Sequence, residues 1–179
     1  NRMTESLRSL GKSLFPAREV DWESVYQAEL PRIYNFFRYR VGDERLAEDL
    51  TAETFEKAWR NRQRYRRDLA AFSTWLFTIA RHAAADHFRK PHPEVPLEAA
   101  AAVSGGENVE SLVQRRADSE RLASLLSQLN ERECDLVALK YGAGLTNRAI
   151  ARLTRLSESN VGSLLHRVVQ RLRTALEEP

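Results

Sequence analysis

The chain has 179 residues, of which 42% are apolar and 30% charged, with 28 basic against 25 acidic side chains and a formal net charge of +3. This is the balance of a globular chain with one ordinary domain or two small ones, and it excludes a disordered polyelectrolyte. Apolar stretches last only a few residues, far short of the roughly 20 needed to cross a bilayer, and no apolar signal core is visible near the start, so a cytoplasmic protein without membrane insertion is expected.

Apolar residues recur at spacings of three and four, and strict alternation is almost absent, so the expected fold class is all-α. Residues 1–20, with Leu7, Leu10, Leu14 and Phe15 at helical spacing, form an N-terminal extension that either covers a surface or binds a partner. The first helix of the body places Val25, Leu30, Ile33, Phe37 and Val41 on one face, and Pro31 is expected to kink it or to start a new helix. Gly42 and Asp43 form a turn, with Asp43 as N-cap of a second helix whose stripe is Leu46, Leu50, Phe55, Ala58 and Trp59. After a basic loop, a third helix carries Phe72, Trp75, Leu76, Ile79, Ala80, Ala83 and Phe88. These wide apolar faces can bury one another as a small bundle over 21–91.

Residues 92–111 read as a flexible linker, with Pro93, Pro96, an alanine run and Ser104-Gly105-Gly106. A second domain, 112–179, follows. Leu122, Leu125, Leu126 and Leu129 mark one helix, and Asn130 with Glu133 forms a capping box for the next, which ends near Gly142. Thr146 opens a short helix with Ile150 and Leu153, and Ser157 caps a last helix whose inner face is Val161, Leu164, Leu165, Val168 and Leu172. The architecture expected is two small helical domains, a three- or four-helix bundle and a helix-turn-helix domain, joined by the linker.

Charge is unevenly spread. Residues 57–67 hold Lys57, Arg60, Arg62, Arg64, Arg66 and Arg67 with no acid, and residues 140–173 hold seven basic residues against Glu158 alone. Residues 92–118 between them hold five acids and two arginines. Two basic patches around an acidic connector suit two contacts with a polyanion, although charge runs also simply solvate helix faces.

From Thr146 to Arg173 the proportions are those of a helix-turn-helix. Its longer helix keeps Ser159, Asn160, Ser163, His166, Arg167, Gln170 and Arg171 on the outer side. Short polar side chains near such a helix's start suit base edges in a major groove, and longer basic ones suit phosphates. A plain amphipathic hairpin would also have one polar face, and the local positive excess favours DNA. The first basic patch alternates with Trp59, Tyr65, Phe72 and Trp75, as a single-stranded nucleic-acid surface would, while Trp75 suits a core role equally well.

Catalysis is not indicated. His82 and His87 stand five apart and do not share a helix face, and no glycine-rich phosphate loop, nucleophile elbow or metal-ligand spacing occurs. No cofactor and no metal are expected. Cys134, lying between Glu133 and Asp135, has no disulfide partner and no neighbour favouring a thiolate, and reads as a small core residue.

Ala47-Glu48-Asp49-Leu50-Thr51-Ala52-Glu53-Thr54-Phe55 followed by Ala58-Trp59 resembles conserved region two of the extracytoplasmic-function (ECF) sigma factors of the sigma-70 family. So does Phe72-Ser73-Thr74-Trp75-Leu76-Phe77-Thr78-Ile79-Ala80-Arg81, closing with Asp86 and Arg89. Leu129 to Glu133 and the helix-turn-helix resemble region four. The resemblance implies a transcription initiation factor that is not an enzyme. Its partners would be core RNA polymerase, through the β′ clamp helices and the β flap, promoter DNA, and in many members an anti-sigma factor. Polymerase contact would fall to Asp49, Leu50, Glu53, Phe55 and Trp59. Capture of the −10 element would fall to Arg64, Tyr65, Arg66, Arg67, Asp68, Phe72, Trp75 and Arg81. The −35 element would be read by Glu158, Ser159, Asn160, Ser163, His166, Arg167 and Arg171. The alternative is a stand-alone helix-turn-helix regulator with an N-terminal sensing bundle.

The chain departs from the family pattern at Ala52 and His82, and at Gly162 and Leu164, where basic residues are frequent. Arg155 stands where the turn usually has Gly, which requires a backbone that avoids positive φ.

Overall fold

A computed structural model describes residues 21–66, 70–89 and 120–177. The extension 1–20, the linker 92–111 and the first residues of the second domain lie outside the described residues, as do Arg67 and Asp68 of the basic loop.

Helix α1 (Trp22–Val41) starts at Asp21, whose carboxylate accepts from the Ser24 backbone N–H. It runs unbroken past Pro31 and stops at Gly42, which takes a left-handed conformation with φ of 74° and donates its N–H to the Arg38 carbonyl. Helix α2 (Glu44–Arg60) begins on the Asp43 cap, with Leu46 N–H to Asp43 Oδ1 at 2.7 Å. A 3-10 turn (Arg62–Arg64) leads towards α3 (Phe72–Arg89). The core of this bundle is Ile33, Phe36 and Phe37 from α1, Ala47, Leu50 and Ala58 from α2, and Leu76, Phe77, Ala80, Ala83 and Ala84 from α3. Small residues let α2 and α3 approach closely, and the Phe36 ring packs edge-on against Phe37 and Phe77 at 5.1 and 5.9 Å. Thr51 and Thr54 can be buried there because each hydroxyl donates to the carbonyl one turn back.

In the second domain a helical turn over 120–127 (α4) precedes α5 (Glu131–Val137). The expected capping box is formed: Asn130 Oδ1 accepts from the Glu133 N–H, and the Glu133 carboxylate accepts from the Asn130 N–H. Helix α5 continues as a π turn (Ala138–Gly142), a rare wide turn that often marks a functional position. Helix α6 (Asn147–Thr154) is capped by Thr146, and α7 (Glu158–Glu177) begins where Ser157 Oγ accepts from the Asn160 N–H. Ile150, Val161, Leu165 and Val168 close this core with Leu136, Val137 and Leu139.

The turn between α6 and α7 corrects one expectation. Arg155 has φ of 57° and ψ of 28°, so the backbone does enter the left-handed region without a glycine. The turn geometry prevails over the residue's preference, at a cost of about 1–2 kcal/mol.

The two domains are in contact. The π turn and α5 lie against α1, and α6 lies against the C-terminal half of α3. Arg81 donates to Asp135 Oδ2 at 2.9 Å and to the Leu153 carbonyl, and Arg32 donates to the Ala143 carbonyl at 3.1 Å. Arg40, only 9% exposed, pairs with Glu131 at 3.2 Å and stacks over the Phe88 ring at 4.5 Å.

Candidate nucleic-acid interface

The first surface lies where α1, α2 and α3 meet. Trp22 stands edge-on between Trp59 and Phe72, with ring centroids 5.3 Å from each. Phe72 continues the cluster to Tyr65 at 5.2 Å and Trp75 at 5.4 Å, and Tyr65 lies 5.2 Å from Trp75 at a tilt of 40°. The Tyr65 hydroxyl donates to the Ala70 carbonyl at 3.1 Å, which ties the two described ends of the basic loop together. Trp59 is 50% exposed and carries the Arg62 guanidinium 4.1 Å above its ring. Arg64 and Arg66 are exposed beside it. Half-buried rings fringed by arginine offer flat apolar faces and cations together, the two requirements of unstacked single-stranded bases. Trp75 takes an intermediate position, half-buried against the core and beside Tyr65.

Sequence reasoning grouped Tyr65, Phe72, Trp75 and Trp59, and the structure brings them together. It missed Trp22, which joins them. Arg81 is not with them: it lies more than one helical turn further along α3 and is held by Asp135 and Leu153 of the second domain.

On α2, Asp49 is exposed, Glu53 pairs with Lys57 one turn on, and Phe55 packs against Tyr26 at 4.8 Å. Leu50 is 4% exposed and belongs to the core, so it holds the helix in place and has no surface to offer a partner.

The second surface is the outer face of α7. Glu158, Ser159, Asn160, Ser163, His166, Arg167 and Arg171 are all exposed, while Val161, Leu165 and Val168 face inward. Arg171 is already engaged within the domain, 2.8 Å from the Glu133 carboxylate. That guanidinium, more than the burial that opposes it, holds the Glu133 carboxyl below the usual range. Cys134 beside it is buried, and desolvation pushes its thiol up, in keeping with a core role.

A third feature was not foreseen. Leu122, Leu126, Val137, Tyr141, Val169, Leu172 and Leu176 line an apolar groove between α4, α5 and α7, and Tyr39 of α1 closes one side of it. Among the described residues no group of three or more side chains could hold a metal ion, and no helix is long and apolar enough to cross a membrane.

The family profile Sigma-70 region 2 matches residues 25–92, and Sigma-70, region 4 matches residues 119–172. The chain is 29% identical over 157 residues to the ECF RNA polymerase sigma factor BldN of Streptomyces coelicolor, covering 86% of this chain and 60% of that protein. It is 31% identical over 152 residues to the ECF RNA polymerase sigma factor SigM of Bacillus subtilis, covering 84% of this chain and 92% of that one. In fold it is similar to the sigma factor RpoE solved in complex with the anti-sigma factor NepR from Bartonella quintana, with a TM-score of 0.66, 19% identity and coverage of 88% and 98%. It is likewise similar to CnrH solved with the cytosolic domain of CnrY, with a TM-score of 0.63, 18% identity and coverage of 90% and 91%. Both conserved regions are present in order, each on its own helical domain, and the chain belongs to the ECF sigma factors of the sigma-70 family.

Proposed function

We propose that this chain is a cytoplasmic transcription initiation factor, without catalytic activity of its own, that directs core RNA polymerase to promoters. The observation that carries the reading is the Trp22–Trp59–Phe72–Tyr65–Trp75 cluster with its arginine fringe. Rings already held at stacking distance repay part of the few kcal/mol that unstacking a base costs. In this reading the loop from Tyr65 through Arg67 and Asp68, with Arg64, Arg66, Phe72 and Trp75, captures the −10 element. Arg81 joins it on the phosphate backbone. The outer face of α7 enters the major groove at the −35 element: Ser159, Asn160 and Ser163 sit near its N-terminus for base edges, and Arg167 sits further on for phosphate.

Polymerase docks at two places. Asp49, Glu53, Phe55 and Trp59 of α2 face the β′ clamp helices, and the apolar groove of the second domain takes an apolar segment of the β flap. An anti-sigma protein is a further partner of such a chain, as one is of the RpoE of similar fold.

Run-off transcription with purified core polymerase on a genomic-fragment library tests the proposal. Discrete start sites that depend on the chain are expected. Tight duplex binding without polymerase, and no stimulated start, would instead support the stand-alone regulator.

A further inference from the structure

We propose that Trp22 is a positioning residue for promoter opening: it pins the rings that receive the −10 base, and so sets how sharply the chain discriminates among −10 sequences. The inference rests on the proposed function and deepens its reading of the aromatic cluster.

Three helix ends meet at Trp22. It is the first residue of α1, Trp59 is the last but one of α2, and Phe72 is the first of α3. Both partners stand edge-on to it at 5.3 Å. Among the described residues, Trp22 is the ring that connects Trp59 to the rest of the cluster. Edge-on pairing sets the orientation of the neighbouring rings as well as their separation.

The two partners of Trp22 differ in what they can do. Trp59 carries the Arg62 guanidinium 4.1 Å above its ring, so that face is taken and Trp59 serves as a buttress. Phe72 leads on to Tyr65 and Trp75, at 5.2 and 5.4 Å, and all three rings are half-buried. Trp22 therefore stands behind the receiving rings, braced by Trp59, and acts on them through Phe72.

Phe72 needs this brace. Helices α1 and α2 start on Asp21 and Asp43, whose carboxylates accept from backbone N–H groups of the first turn. Ala71, in the corresponding place before α3, has no side-chain acceptor. Ser73 ties this end to α1 only by long bonds, 3.3 Å from Arg32 and 3.4 Å to Glu29. The start of α3 is thus located by ring packing more than by hydrogen bonding. Trp22 is itself well anchored, since Ser24 donates both its N–H and its hydroxyl to Asp21, the latter at 2.6 Å. A capped helix start holds an uncapped one.

The test is run-off transcription with core polymerase, at limiting chain concentration, on paired templates that differ by one base of the −10 element. The ratio of the two yields is compared among wild type, Trp22→Leu, Trp22→Phe, Phe72→Leu, and Trp22→Leu combined with Phe72→Leu. A loss of folded chain lowers both yields by the same factor and cancels in the ratio, whereas a displaced ring changes it. Trp22→Leu is expected to flatten the ratio by about two- to tenfold, the range for one edge-on ring pair. Trp22→Phe, which keeps a ring, is expected to restore most of it. In the Phe72→Leu background, Trp22→Leu is expected to add little, because the two residues act as a unit. A Trp22→Leu ratio equal to that of wild type would overturn the proposal. So would flattening that Trp22→Phe leaves uncorrected, or that persists undiminished without Phe72. If Trp22→Leu gives no transcript, Trp22→Met, which fills the space with a flexible apolar chain, is read in its place. A wild-type chain that supports no polymerase-dependent start would overturn the sigma reading itself, and this proposal with it.

Discussion

Arg171 and Glu133 form an ion pair at 2.8 Å that links the outer side of α7 to the capping box of α5. The arginine expected from sequence to hold phosphate is therefore partly occupied inside its own domain, which makes Arg167, exposed one turn earlier, the proposed phosphate contact.

This division of labour can be measured on −35 duplex. Arg167→Ala should weaken binding and reduce the slope of log affinity against log salt by about 0.9, the value for one phosphate contact. Arg171→Ala should leave the slope nearly unchanged and lower the thermal midpoint of the second domain. A full unit of slope lost in Arg171→Ala would restore it to the DNA-contacting set.

Glu133 also predicts a pH dependence. Its carboxyl titrates lower in the folded chain than in the unfolded one, chiefly because of Arg171. The stability it contributes is therefore present above the ordinary glutamate range and is lost as pH falls through the folded value. Glu133→Gln should lower the urea midpoint at about pH 7 and have a smaller effect at about pH 4. Equal destabilisation at both would mean that packing, and not charge, is what Glu133 supplies.

Arg155→Gly should stabilise the second domain by about 1 kcal/mol by relieving the left-handed backbone. For a domain of this size that is a rise of about 4–8 °C in thermal midpoint. A fall in midpoint would show that the Arg155 side chain makes a contact worth more than the strain it imposes.

The Tyr65 hydroxyl closes the basic loop on the Ala70 carbonyl. Tyr65→Phe removes that bond while leaving the ring in the cluster, at a cost of about 1 kcal/mol to loop order. Promoter selection at −10 should broaden in a randomised-element run-off assay while −35 binding stays the same. Unchanged −10 preference would place base capture outside this loop.

Local chemistry was the most legible part of the sequence. The caps at Asp43, Asn130 with Glu133 and Ser157 depend on neighbours three residues away, and all three form. The inner face of α7 followed from periodicity, while that of α3 did so only in part, since Phe77 and Ala84 are buried there without belonging to the expected stripe. Phe36 was missed because α1 buries a wider arc than one stripe: α2 and α3 pack on part of it and the second domain on another. Trp22 was missed for a different reason, since its partners Trp59 and Phe72 are distant in sequence. Phe88, taken for core, is 48% exposed and serves as a platform for Arg40. A π turn carries no compositional mark, so its seat against α1 could not be read in advance. Arg81 was expected beside the −10 cluster, but it is held by Asp135, 54 residues away along the chain.

The aromatic cluster gives the molecule a built-in optical reporter. The chain has three tryptophans, Trp22, Trp59 and Trp75, all in the first domain and all within this one cluster. Their emission therefore follows that domain selectively, and a base stacked on Trp75 would quench it. The second domain, where Tyr141 is the aromatic residue, contributes almost nothing at the red edge of excitation. Promoter opening could thus be followed in real time by stopped-flow fluorescence on the unlabelled chain, once the polymerase background has been subtracted.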